Sequence, residues 1–189
     1  SSIRISGWWR SKGLNPSNIP YNKNIKSILW LAESLTPLND VSNFLDQLLK
    51  LNYKVTIKAR AMQDDKPDTL IDDFKSYYGN SVNYLYGTMN ELNKENYDLA
   101  LGSYTTAILD SLIMGIPVLL LYTNTWGDAF YVRDHPYASI LCNDPEDLTN
   151  KIEDLPLKKI QDFKDDIYEE NLDGAQWCID QIKKEISGE

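Results

Sequence analysis

Histidine is almost absent from this chain, with one at position 135, and cysteine is nearly so, with two at positions 142 and 178 in segments of different character. A Cys/His zinc cluster cannot be assembled from that set, so no metal site is expected. A Ser-His-Asp or Cys-His hydrolase centre would have to recruit His135, and no G-x-S-x-G elbow accompanies it. Long apolar runs are missing as well. The longest, Leu112 to Tyr122, falls far short of the ~20 residues that cross a bilayer, so no transmembrane segment is expected. The opening Ser1-Ser2-Ile3-Arg4 has neither the charged start nor the apolar stretch of a secretory leader. It reads as a cut point in a longer protein, and the expected location is cytoplasmic.

Positive charge is scarce too, since 19 Lys and Arg against 28 Asp and Glu leave a net −9. Residues 144–189 hold 14 of those acids and six lysines, so nearly all of the excess sits in the tail. Acidic helices repel phosphate backbones and anionic lipid, which disfavours nucleic acid and direct membrane contact through that face. What the chain does have is apolar content: 42% of 189 residues are hydrophobic and 25% charged, enough to bury one core.

Short β-rich runs alternate with helical periods from Lys26 onward, the pattern of an α/β layer fold with a parallel sheet. Ser27 to Ala32 is a near-continuous apolar strand, and Val41, Phe44, Leu45, Leu48 and Leu49 follow at helical spacing after a Thr36-Pro37 turn. Tyr53 to Ala59 is a more polar strand, expected nearer an edge. Pro67 then opens a helix with Leu70, Ile71, Phe74 and Tyr77 on one face. Val82, Tyr84 and Tyr86 alternate as a third strand, and Thr88-x-x-Glu91 is a capping box for a short helix containing Met89. Tyr97 to Gly102 and Pro117 to Tyr122 are two further strands, flanking a helix over Thr105 to Met114 that Gly115 ends. Ser139 to Cys142 makes a sixth, short strand, with Asn143 or Asp144 capping a helix at Pro145. Two helices close the chain, one bearing Leu157, Ile160, Phe163 and Ile167, the other Cys178, Ile179, Ile182 and Ile186. The expectation is an open parallel sheet of about six strands with helices on both faces and the C-terminal helices packing across. Residues 1–25 read as a linker or docking arm, and 26–189 as the folded domain.

Ligands of open parallel sheets bind beyond the carboxyl ends of the strands, where helix starts point free N–H groups outward. The fourth strand runs through Gly102-Ser103-Tyr104-Thr105-Thr106 straight into a helix, which gathers hydroxyls and amides suited either to a phosphate or to simple capping by Ser103. Lys58 and Arg60, two apart at the end of the second strand, form a small basic patch. Glu33 follows the first strand. The long aromatic loop from Thr123 to Pro136 offers Trp126 to a base or sugar and Arg133 or His135 to a phosphate or acceptor, with His135 a weak candidate for a general base.

The segment G-S-Y-T-T-A-I-L-D-S-L-I-M-G-I-P-V-L-L-L, from Gly102 to Leu121, resembles the donor-binding, C-terminal half of GT-B glycosyltransferases. Asp110, Gly115 and Pro117 sit at that family's acid, Gly and Pro spacing. The hydroxyl pair resembles the phosphate-binding turn of polymer-type transferases such as CDP-glycerol and sialic acid enzymes. The looser likeness runs from about Lys26 to Ile186 and includes Asp173-Gly174. It implies a Rossmann-like domain that binds a UDP-, GDP- or CDP-linked sugar as substrate, with no separate cofactor, and a partner acceptor domain ahead of residue 1. Ser103, Tyr104, Thr105 and Thr106 would hold the diphosphate, joined by Lys58 and Arg60, and Asp110 would meet the ribose. Thr88 and Met89 would approach the base through their backbone. Such a parent enzyme would build cell-surface polysaccharide or another glycan and associate with a membrane only peripherally. Asp110 stands where Glu is more usual, and Gly102 stands where retaining enzymes carry a first acid. Two other readings share the scaffold, a UDP-sugar 2-epimerase-like domain and a non-catalytic flavodoxin-like binding module.

Overall fold

The structure is a computed structural model that describes residues 14–20, 24–33, 36–59 and 69–168, together with 179, 180, 182–184 and 186. Six strands form one sheet: β1 (Ser27–Leu31), β2 (Lys54–Lys58), β3 (Asn83–Leu85), β4 (Leu99–Gly102), β5 (Val118–Leu121) and β6 (Leu141–Cys142). All pair in parallel, in the order β3-β2-β1-β4-β5-β6, so the expected Rossmann-like α/β class holds. The near-continuous apolar runs have a direct cause. A parallel sheet is covered on both faces, so its inner strands bury both alternating sets of side chains. Ile28, Leu29, Trp30 and Leu31 of β1 and every residue of β4 and β5 are buried.

Among the described residues, five helices cover the sheet: α1 (Leu38–Lys50), α2 (Thr69–Tyr78), α3 (Ala107–Ile113), α4 (Pro145–Glu153) and α5 (Leu157–Ile167). The chain steps from β1 to β2 and β3 in one direction and from β4 to β5 and β6 in the other. Parallel crossovers are almost always right-handed, so this reversal puts the two sets of connections on opposite faces. Accordingly α1 packs against α2 and α4, while α3 packs against α5.

Local chemistry sets the boundaries. The α1 helix ends on Asn52 in the left-handed region (φ 63°), with Tyr53 N donating to Leu48 O and Asn52 N to Leu49 O. The same pair of bonds ends α3 at Gly115 (φ +83°), from Ile116 N to Ser111 O and from Gly115 N to Leu112 O. Asp144, of the two residues that could have capped α4, is the one whose side chain accepts from Asp147 N at 2.8 Å, with Pro145 opening the helix. Three expectations shift. The buried face of α2 is Ile71, Phe74 and Tyr78, because 71, 74 and 78 share a stripe at 3.6 residues per turn and Tyr77 lies 63% exposed beside it. The sixth strand shrinks to two residues, the preceding Ala138–Ile140 forming a 3-10 turn. Of the two C-terminal helices, α5 buries Ile160 and Phe163, whereas Ile179, Ile182 and Ile186 are 46%, 59% and 81% exposed.

Residues 14–20 cross the α3 side of the molecule as a strap. Leu14 and Ile19 enter the core, Ser17 N donates to Ile113 O, and Lys164 of α5 donates to Ser17 O. A Cβ at Gly115 would stand 2.7 Å from Asn18 O, so the strap demands glycine twice over, for its backbone angle and for its clearance. Trp8 and Trp9, the aromatics of the expected docking arm, lie outside the described residues.

Candidate functional site

The strand order reverses between β1 and β4, and a crevice opens there beyond their carboxyl ends. Ala32, Glu33 and Thr36 line it after β1, Gly102 at the end of β4 and Ser103 just beyond, together with Phe74 of α2. Its cavity measures about 10 Å³, close to the least that a single water needs. Ser103 and Thr36 are both buried, with their hydroxyl oxygens 3.4 Å apart. The indole of Trp126 meets this pair at Thr36, Nε1 donating to Thr36 Oγ1 at 3.0 Å. Tyr104 then stacks on Trp126, ring centres 4.3 Å apart and planes within 13°.

The start of α3 is closed by its own chain. Thr105 Oγ1 accepts from Ala107 N at 3.3 Å, Thr105 O from Ile108 N, and Thr106 O from Leu109 N. The capping hydroxyl is therefore Thr105 and not Ser103, whose side chain points to Thr36 instead. Thr106 is exposed and Tyr104 half-exposed at 51%. Four hydroxyl residues thus share one turn, Ser103 buried, Thr105 half-buried, and Tyr104 and Thr106 exposed.

A second turn follows β3, at the same edge of the parallel sheet. Thr88 N and Oγ1 both donate to Glu91 Oε2, at 2.7 and 3.0 Å, so the expected capping box is present on a 3-10 turn, Met89–Glu91. These bonds hold the Glu91 carboxyl below the usual carboxylate range. Met89 is buried. Lys58, at the end of β2, is only 5% exposed and donates to Gly87 O and Ala59 O at 2.5 and 3.1 Å. Burial pushes its ammonium down, partly offset by the charges of Glu91 and Asp110. Lys58 therefore fastens this turn rather than standing out as a free basic group, and Arg60 lies outside the described residues. Asp110 is 3% exposed on α3, within the field of Lys58.

The loop after β5 divides. Its first part, Thr123 to Gly127, folds on itself: Gly127 N donates to Thr123 O and Trp126 N to Thr123 Oγ1. Asp40, in the first turn of α1, anchors it by accepting from Thr125 N at 2.8 Å, Thr125 Oγ1 at 2.5 Å and Asn124 Nδ2 at 3.3 Å. The Thr125 hydroxyl is the main reason that the Asp40 carboxyl lies below its ordinary range. The second part leads away from the crevice. Arg133 lies 4.8 Å over the Tyr122 ring and donates to Asn143 Oδ1, while His135 faces Tyr137, which packs on Phe163 of α5. Neither side chain joins Ser103.

No protein-family model and no curated protein matches this chain. Among the described residues no group of three His, Cys, Asp or Glu is arranged to hold a metal ion, and no helix is long and apolar enough to cross a membrane. Sequence reading missed Thr36 and Asp40, the two residues that tie α1 and its approach to the crevice. Thr36 reads as turn chemistry before Pro37, and Asp40 as an ordinary first-turn acid, so neither carries a signal of a partner about 85–90 residues away.

Proposed function

We propose that this chain is the donor-binding half of a glycosyltransferase, holding a nucleotide-diphosphate sugar for transfer to an acceptor bound by a preceding domain. The observation that carries the reading is the position of the Ser103–Thr106 turn at the switch point of a doubly wound parallel sheet, between β1 and β4. The resemblance of Gly102 to Leu121 supports it independently. In this reading Ser103 and the exposed Thr106 donate to the diphosphate, the backbone around Thr88 and Met89 meets the base, and Tyr104 and Trp126 border the sugar. A ribose would reach Asp110 only after its surroundings open, since that carboxylate is buried. Hydrogen-bond donors aimed at the departing diphosphate stabilise its developing charge. A parent enzyme of glycan or cell-surface polysaccharide synthesis fits this role.

Isothermal titration of the chain with UDP-, GDP- and CDP-sugars tests it. One nucleotide class should bind, and Ser103→Ala and Thr106→Ala should each weaken it by about tenfold, the worth of one charge-assisted hydrogen bond. Absence of heat with all three classes overturns the reading. One observation favours the non-catalytic module instead: the crevice is filled by the chain's own side chains. Partner capture combined with no nucleotide affinity would select that alternative. The epimerase reading needs several acid/base groups at the crevice, and His135 stands elsewhere.

A further inference from the structure

We propose that the Thr123–Gly127 turn is a lid over the switch-point crevice, that Asp40 is its latch, and that a diphosphate reaches Ser103 only when the latch releases. The identity of the ligand rests on the donor reading above; the lid itself does not.

The turn has the construction of a moving unit. Its internal bonds, Gly127 N to Thr123 O and Trp126 N to Thr123 Oγ1, hinge it on Thr123, so what swings is the 124–126 tip with the indole. Thr123 is buried directly after β5, and Gly127 (φ +60°) takes the left-handed angle at the other end, which gives one fixed and one permissive terminus. Among the described residues, its external attachments are polar apart from one ring stack. Asp40 receives three hydrogen bonds at the exposed surface, Thr36 receives the indole N–H, and Tyr104 supplies a stacking face.

What lies beneath makes opening necessary. The cavity of about 10 Å³ admits no diphosphate, and the hydroxyls of Thr36 and Ser103 are buried, 3.4 Å from one another, with the indole N–H on Thr36. Removing the turn releases the Thr36 hydroxyl from the indole and leaves Ser103 facing Thr36 alone. A ligand that binds only the open form has its apparent dissociation constant raised by the reciprocal of the open fraction. Weakening the latch therefore tightens binding while Ser103 and Thr106, the donors to the diphosphate, stay unaltered.

The test uses the full chain labelled with 5-fluorotryptophan, the Trp126 fluorine resonance being identified by its loss in Trp126→Phe. Asp40→Ala should shift that resonance and broaden it several-fold more than in the parent chain when a soluble gadolinium chelate is added, with buried Trp30 unchanged. Thr36→Val, which removes the indole's acceptor and leaves Asp40 in place, should act in the same direction. Trp126 equally protected in both variants overturns the lid. Titration supplies the second arm. Asp40→Ala should bind the preferred nucleotide-sugar about three- to tenfold tighter, and equal affinity overturns control of entry. If Trp126 opens and no nucleotide binds any form, the lid stands and the donor reading falls. If nucleotide binds and Trp126 stays shut in the variants, the reverse holds.

Discussion

Two loops follow strand ends on the crevice's edge of the sheet, and they are held in place by opposite means. The turn after β3 is tied by residues that are neighbours in the chain: Thr88 and Glu91 are three apart, and the added support is one buried lysine, Lys58, whose ammonium lies against Gly87 O. The turn after β5 is tied by residues about 85–90 positions away, Asp40 and Thr36, at the start of a helix on the other half of the sheet. A local tie forms whenever its few residues adopt one conformation. A distant tie exists only once the sheet has assembled, and it contributes little enough at an exposed surface to be undone without unfolding. The first loop is scaffold and the second can move.

Lys58→Met breaks the comparison hardest. It keeps the stem and removes the donors, leaving two carbonyls short of a partner, and should lower stability by about 2 kcal/mol in urea unfolding. Asp40→Ala should cost under about 1 kcal/mol by the same measurement, because its hydrogen bonds face solvent. A loss for Asp40→Ala equal to that for Lys58→Met would make both loops scaffold. Thr88→Ala removes a cap and should cost about 0.5–1 kcal/mol, with no effect on Trp126.

Acid sharpens the contrast. Both Asp40 and Glu91 have folded carboxyls below their ordinary values, so each contributes stability that is complete above the ordinary carboxylate range near pH 4 and is lost as pH falls through the lowered value. Trp126 should become accessible along that descent in the parent chain and be insensitive to it in Asp40→Ala, as followed by its fluorine resonance. The smallest effect is an expected silence. Burial pushes the Cys142 thiol up to about 12, so iodoacetamide at pH 8 should leave it unmodified in peptide maps of both the parent chain and Asp40→Ala. Labelling of Cys142 in the variant would mean that the sheet edge opens along with the turn.

The same contrast decides what could be read from residues alone. Strand and helix order, the capping box, Gly115 as a helix end and Pro145 as a helix start were legible because each depends on neighbours within a turn or two. Tyr77 was placed on the wrong side of its helix because i and i+3 spacings alone do not choose between adjacent stripes; Tyr78 sits over the core and settles it. Ser103, Tyr104 and Trp126 were each legible as crevice candidates, but not the stack of Tyr104 on Trp126 or the Thr36 hydroxyl between Trp126 and Ser103. Arg133 and His135 share the loop's sequence without sharing its destination, since Asp128 turns the backbone by accepting from Val132 N and Arg133 N.

The middle strand carries a consequence for how the chain acquires its shape. β1 pairs on one side with β2, and on the other with β4, where Ile28 sits opposite Leu99 and the Asp98 carboxylate receives the amides of Lys26 and Ser27. The central pairing thus waits for a loop of about seventy residues to close, which sets a high contact order and slow, late consolidation. Severing the polypeptide between β3 and β4 should leave two pieces that are each incomplete along this seam and that recover the sheet only by finding one another.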